Sequence, residues 1–244
     1  MCTISWLAQG KELIVMFNRD ERVARPTARP PEVQAGPQPF LAPRDSAGGT
    51  WIAVRADGTV LALLNNYDHP GCLEHPQSRG AIIWHLAAAT DFAATWKEMT
   101  DSLTRYPPFH LLTLRYDGIS GNTWNGGQLE SLRVPLSYGI FTTSSSPGPQ
   151  VQSLRHAAFA NLTNQTRALT GEDLQRFHDG CGHENPASSV WMDRGDRRTV
   201  SQSRIRVTST MARFSYRDCH GHARSPGGWR HSEISIERPA SPAS

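Results

Sequence analysis

The sequence predicts an α+β fold of two antiparallel sheets flanked by helices. Three observations carry that expectation. Stretches of strand type come in groups with helical stretches between them, in the order strands, helices, strands, helices, strands. Neighbouring strand stretches are joined by turns as short as Gln9-Gly10-Lys11-Glu12 and Ala56-Asp57-Gly58, the mark of hairpins. The regular β-α alternation that a doubly wound parallel sheet requires is missing. With 244 residues, 38% of them hydrophobic, the chain can bury a sizeable core.

Taken in order, Cys2 to Ala8 and Leu13 to Phe17 read as the first hairpin. The segment from Ala24 to Pro43 carries six prolines, so it is expected as a long ordered loop or cover rather than a helix or central strand. Gly48 to Val54 and Thr59 to Asn66 form a second hairpin with the near-continuous apolar character of buried strands. Ala81 to Ala89 and Asp91 to Leu103 are helical, with Ile83, Leu86, Trp96, Met99 and Leu103 spaced to pack on a sheet, until Pro107-Pro108 ends the run. Strands resume at Phe109–Tyr116, Ser120–Trp124, Leu129–Val134 and Tyr138–Thr143. Helices are expected near Val151–Leu162 and Asp173–His178, and strands at Ser188–Met192, Thr199–Thr208, Met211–Tyr216 and Ser232–Ile236. Residues 1–237 read as one domain and 238–244, rich in Pro, Ser and Ala, as a frayed tail.

Composition removes several function classes. The net charge is +3, and the arginines are scattered without a dense basic block, so nucleic acid is not an expected partner. No apolar run approaches the roughly 18–20 residues of a membrane helix. The first six residues lack a basic leader and apolar stretch, so a cytoplasmic location is expected. Four isolated cysteines, Cys2, Cys72, Cys181 and Cys219, make no disulfide scaffold. Cys181-Gly182-His183 and Cys219-His220-Gly221-His222 lack the usual zinc spacings and read as polar loops.

Cys2 is the chemical clue. Trimming of Met1 would put a thiol and an α-amine on one residue, and an α-amine titrates near ~7.7–8.0, low enough to accept the thiol proton. Equally, Cys2 is open to reading as the second residue of a buried edge strand. A hairpin brings Asn18-Arg19-Asp20-Glu21 back beside Cys2, where Arg19 would favour the thiolate and Asp20 would orient the amine. Such a tetrad is also open to reading as a solvated charged turn.

Met1-Cys2, Asn18-Arg19-Asp20-Glu21, Arg25-Pro26, Arg44-Asp45, Gly48-Gly49-Thr50-Trp51 and Leu64-Asn65-Asn66-Tyr67 resemble, in order and spacing, the NRDE family, also called the Transport and Golgi organisation 2 (TANGO2) family. Asn65 stands where the family pattern has Thr, which aligns Asn66 with the family Asn. That family is similar in turn to Ntn hydrolases of the penicillin V acylase and bile salt hydrolase group. The resemblance implies a four-layer αββα sandwich with Cys2 opening a central strand. Gly195 to Arg204 resembles a bile salt hydrolase stretch that ends on an active-site Arg, which implies a site role for Arg204. Arg19 and Asp20 are adjacent, so both serve Cys2 only if the backbone turns between them. Ser stands within Thr142–Pro147 where those hydrolases carry an oxyanion-hole Asn, and Asn66 is a candidate oxyanion donor instead.

The resemblance implies a hydrolase or acyltransferase for a small amide, ester or thioester, a small-molecule acyl substrate handled through an acyl-enzyme at Cys2 without metal or organic cofactor. Its site would comprise Cys2, Arg19, Asp20, Asn66 and Arg204. The alternative it implies is a non-catalytic protein of haem or acyl-CoA trafficking, with haem or an acyl chain in the same pocket.

Overall fold

The computed structural model describes residues 1–69, 74, 76–145, 147–166, 168–180, 185–220 and 227–237. Thirteen strands among them make two antiparallel sheets. The first sheet contains β1 (Cys2–Gln9), β2 (Glu12–Arg22), β10 (Tyr138–Thr143), β11 (Arg197–Val207), β12 (Met211–Asp218) and β13 (Arg230–Ser235), in the order β10-β1-β2-β11-β12-β13. The second is a sequential meander of β3 (Arg29–Gln34), β4 (Phe40–Arg44), β5 (Ile52–Arg55), β6 (Val60–Asn65), β7 (Phe109–Arg115), β8 (Gly118–Trp124) and β9 (Leu129–Leu132). The helices are α1 (Gly80–Ala88), α2 (Phe92–Thr100), α3 (Gly148–Gln165) and α4 (Gly171–His178).

Alternation along the strands explains the layers. Ile4, Trp6, Val15, Phe17 and Ile205 of the first sheet meet Leu41, Ile52, Val54, Ala62, Leu64 and Leu112 of the second in a shared core. On the far side of the second sheet, Ala53, Leu61, Leu63 and Leu111 pack against Ile82, Ile83 and Leu86 of α1. On the far side of the first, Leu7, Met16 and Ile140 pack against Phe159 of α3 and Leu174 and Phe177 of α4. The architecture is therefore helix, sheet, sheet, helix, the expected αββα sandwich. No helix among the described residues is long and apolar enough to cross a membrane.

Two local expectations are corrected. The Pro-rich segment is not merely a loop, because β3 and β4 lie within it. β3 is the edge strand of its sheet, where a missing proline N–H leaves no ladder partner unsatisfied. Ser188–Met192 is not a strand but turns and bends, whose carbonyls at Ser188, Ser189 and Val190 accept from Arg155 and Asn18 instead of a neighbouring strand. The tail 238–244 and Cys72, Cys181, His183 and His222 lie outside the described residues.

Candidate active site at Cys2

In register across the first sheet, Cys2 pairs with Thr143 on β10 and Arg19 on β2, and Arg19 pairs with Ser201 on β11. Directly opposed residues share a face, so Cys2, Thr143, Arg19 and Ser201 lie on the side that carries Ile4 and Phe17. The strand ends open there into a cleft of about 290 Å³ whose walls include Met1, Cys2, Arg19, Trp51, Asn65 and Arg79. Thr50 and Trp51 reach it because Gly49 and Gly80 touch: a Cβ on either would lie 2.9 Å from the other segment's backbone. Only glycine permits that approach of α1 to the start of β5.

Arg19 projects into the cleft and is held on two sides. Its guanidinium lies 4.2 Å from the ring centre of Trp51 and donates to Asp45 Oδ2. Asp45 also accepts from Arg25 at 3.0 and 3.1 Å, and Arg25 reaches Glu21 at 3.2 Å. Burial would raise the Asp45 carboxyl pKa, but the hydrogen bonds from Arg25 and Ala47 and the nearby guanidinium charges outweigh it, and the net shift is downward. The segments Asn18–Glu21, Arg25-Pro26, Arg44-Asp45 and Gly48–Trp51 thus supply one ionic cluster behind the thiol.

Asp20 goes the other way. The backbone does not turn between Arg19 and Asp20, so their side chains take opposite faces. The Asp20 carboxylate is fully buried, paired with Arg155 Nη2 of α3 at 3.3 Å and accepting from Thr199 Oγ1 at 2.7 Å. A register shift between Thr199 and Ser201 places Thr199 opposite Asp20 while Ser201 stays opposite Arg19. Burial raises the Asp20 pKa, opposed by Arg155, the terminal ammonium and Thr199. It is the Asp20 main chain, not its carboxylate, that meets residue 1: its carbonyl accepts from the Met1 amine at 3.2 Å and its N–H donates to the Met1 carbonyl at 3.0 Å.

Met1 is buried in the cleft with each of its polar atoms engaged. Its amine donates to Tyr67 Oη at 2.8 Å, and its sulfur accepts from Ser144 Oγ at 3.1 Å. Burial pushes the Cys2 thiol pKa up, with the terminal ammonium opposing and the Asp20 charge adding to the rise. Burial likewise takes Tyr67 to about 12. The Thr143 hydroxyl, buried beside Cys2, has no hydrogen-bond partner among the described residues.

Two expected site residues lie elsewhere. Asn66 does not line the cleft: its amide donates to the Trp124 carbonyl at 3.4 Å and its Oδ1 accepts from Asp68 N–H at 3.1 Å. Asn65 lines the cleft instead and donates to Tyr67 Oη at 3.0 Å. Arg204 pairs with Met16 on the helix-covered face of the first sheet, its guanidinium against Gly171 at the start of α4. It stands on the opposite face from the thiol. Sequence reasoning missed Arg155, one arginine among many with no local sign of burial. Tyr67 and Asp45 stood within quoted motifs without a role.

Residues 1–182 match the family described as Transport and Golgi organisation 2. The chain belongs to the TANGO2 family. No curated protein matches the sequence. Among solved structures, penicillin V acylase from Agrobacterium tumefaciens is similar at 12% identity over 92% of this chain and 88% of that one, with a TM-score of 0.44. A mutant conjugated bile acid hydrolase from Clostridium perfringens is similar at 13% identity over 100% of both chains, with a TM-score of 0.43. Within the TANGO2 motif, Asn18 is structural: its amide donates to the carbonyls of His178 and Val190 at 2.8 and 2.9 Å. Arg19 faces the cleft, Asp20 faces α3, and Glu21 braces Arg25.

Proposed function

We propose that this protein is an N-terminal-nucleophile cysteine hydrolase or acyltransferase for a small amide, ester or thioester. The observation that carries the reading is the setting of Met1. Its amine, carbonyl and sulfur are each bound by a group that its removal would release: Tyr67 Oη, Asp20 N–H and Ser144 Oγ.

Once Met1 is gone, the α-amine belongs to Cys2 and, with a pKa near ~7.7–8.0, accepts the thiol proton. The thiolate attacks the acyl carbonyl, a C–S bond forms, and the carbonyl electron pair moves onto oxygen. Asp20 N–H, released by loss of Met1, and the Thr143 hydroxyl, paired across from Cys2 and without a partner among the described residues, are candidate donors to that developing charge. One such donor is typically worth ~2.7–4 kcal/mol in the transition state. Collapse of the intermediate expels the leaving group, which takes the proton back from the ammonium. Water or an amine then attacks the thioester and regenerates the thiol. Arg19, braced by Trp51 and Asp45, favours the thiolate.

The cleft walls favour this reading over haem. Arg19, Glu21, Arg25, Asp45, Gln77 and Arg79 surround it, whereas haem or a long acyl chain requires extended apolar walls. At about 290 Å³ it suits a small substrate. The test is the intact mass of the purified protein before and after a cysteine-reactive acyl probe. The expected result is loss of one Met and a single adduct mapped to Cys2, absent in Cys2→Ala. Retained Met1 with no preference for Cys2 would overturn the proposal.

A further inference from the structure

Arg79 differs from every other arginine of the cleft. Arg19 and Arg25 share Asp45 and Glu21. Arg79, half-buried in the same wall, donates Nη1 to the Pro108 carbonyl at 2.8 Å and has no carboxylate within ion-pair distance among the described residues. Among the described residues the cleft therefore sets three guanidinium groups against two carboxylates, Asp45 and Glu21, because Asp20 is spent on Arg155 behind the sheet. Burial lowers the Arg79 pKa, while its surroundings of Tyr67, Cys2 and Glu21 favour its charge. A partly desolvated cation without an anion is unfavourable, and a ligand anion offsets that cost.

The placement is fixed rather than incidental. Arg79 immediately precedes Gly80, which is packed backbone to backbone on Gly49 and Thr50 and accepts from Thr50 N–H at 3.2 Å. That contact ties Arg79 to the segment presenting Trp51. With Nη1 held by Pro108, the Nε and Nη2 edge is left without a protein acceptor among the described residues. Two parallel N–H groups on one planar edge match a carboxylate. Asn65, Gln77 and Ser78 provide neutral polar groups in the same wall for the rest of a small molecule.

We infer that the cleft takes small acyl compounds bearing a carboxylate, which Arg79 receives while the acyl carbon lies at Cys2. This rests on the reading of Cys2 as nucleophile, but carboxylate capture is an equilibrium property that can be measured without chemistry. The experiment titrates Cys2→Ser protein with succinamate and with its neutral counterpart succinamide, followed by NMR. Succinamate is expected to bind about tenfold more tightly, as a hydrogen-bonded charge warrants, with the preference abolished in Cys2→Ser/Arg79→Gln and partly kept in Cys2→Ser/Arg79→Lys. Equal affinities, or a preference that survives Arg79→Gln, would overturn the inference. A separate arm exposes wild-type protein to a succinyl thioester. Intact selective binding with neither an acyl adduct at Cys2 nor turnover of the thioester above that of Cys2→Ser defeats the nucleophile reading alone.

Discussion

The two faces of the β1–β2 hairpin use the same kinds of residue for opposite ends. On the cleft face, Cys2 and Arg19 are backed by a cluster in which Arg25 is part-exposed, and Arg79 in the same wall keeps an edge without an acceptor among the described residues. On the helix face, Thr3, Ser5, Asn18 and Asp20 are all buried and each has a partner. Arg155 donates to Thr3 and Thr142 at 2.7 and 3.1 Å besides Asp20, while His178 bonds Ser5 and Asn18, each at 2.9 Å. A polar group with every bond made specifies packing, whereas one with capacity to spare can receive a ligand. The motif tetrad straddles this boundary, with Arg19 on the cleft side and Asn18 and Asp20 on the side of the helices.

The largest effect expected of breaking that division comes from Arg155→Met. It strands the Asp20 carboxylate in a closed site and should cost about 3–5 kcal/mol in denaturant unfolding. Asp20→Asn added to it should recover part of the loss, since the stranded charge is then gone. Arg19→Gln should cost less, because Asp45 keeps Arg25. A loss for Arg155→Met no larger than that for Arg19→Gln would erase the distinction between the faces.

A pH titration sharpens the same contrast. Burial lowers His178 to about 3, with the Arg155 charge adding to the shift. The unfolded chain carries this imidazole near ~6.5, so between those values the unfolded state binds the extra proton. Stability should therefore fall as pH drops from about 6.5, by up to about 1.4 kcal/mol per pH unit from this group. His178→Gln should flatten the curve in that window. His110, lowered by burial to about 4 on the other sheet, should leave a residual slope. An unchanged slope in His178→Gln would mean that the helix face admits the proton.

Why some of this was legible and some not follows from the range of the forces. Alternation, turns and helix periodicity are local, so the four described helices and both sheets apart from β3 and β4 are readable, as is the return of Arg19 to Cys2 through a hairpin. Phase at a strand end is less secure. Asn65 and Asn66 differ only in which face they reach, and the one that lines the cleft was the one standing in for the family Thr. The Val190 segment has strand composition but gives its carbonyl to Asn18, a contact 172 residues away that no local pattern displays. Arg155 was hidden for the same reason: its partners are drawn from β1, β2, β10 and the 188–189 turn.

The smallest expected effect is also the sharpest test of the face assignment. A short motif resemblance placed Arg204 with Cys2, yet β11 alternates about Ser201, and three residues along the strand Arg204 has crossed to the face of Met16. Ser203 and Ile205 point toward the inter-sheet core while Arg204 lies against the start of α4. Arg204→Ala should thus leave the rate of acyl labelling at Cys2 unchanged within about twofold, with a stability change of order 1 kcal/mol or less, as for most substitutions outside a paired buried network. Labelling can be timed by intact mass and stability read from urea unfolding on the same samples. A large fall in labelling at unchanged stability would require Arg204 to act through the sheet, and the division between the two faces would no longer describe the site.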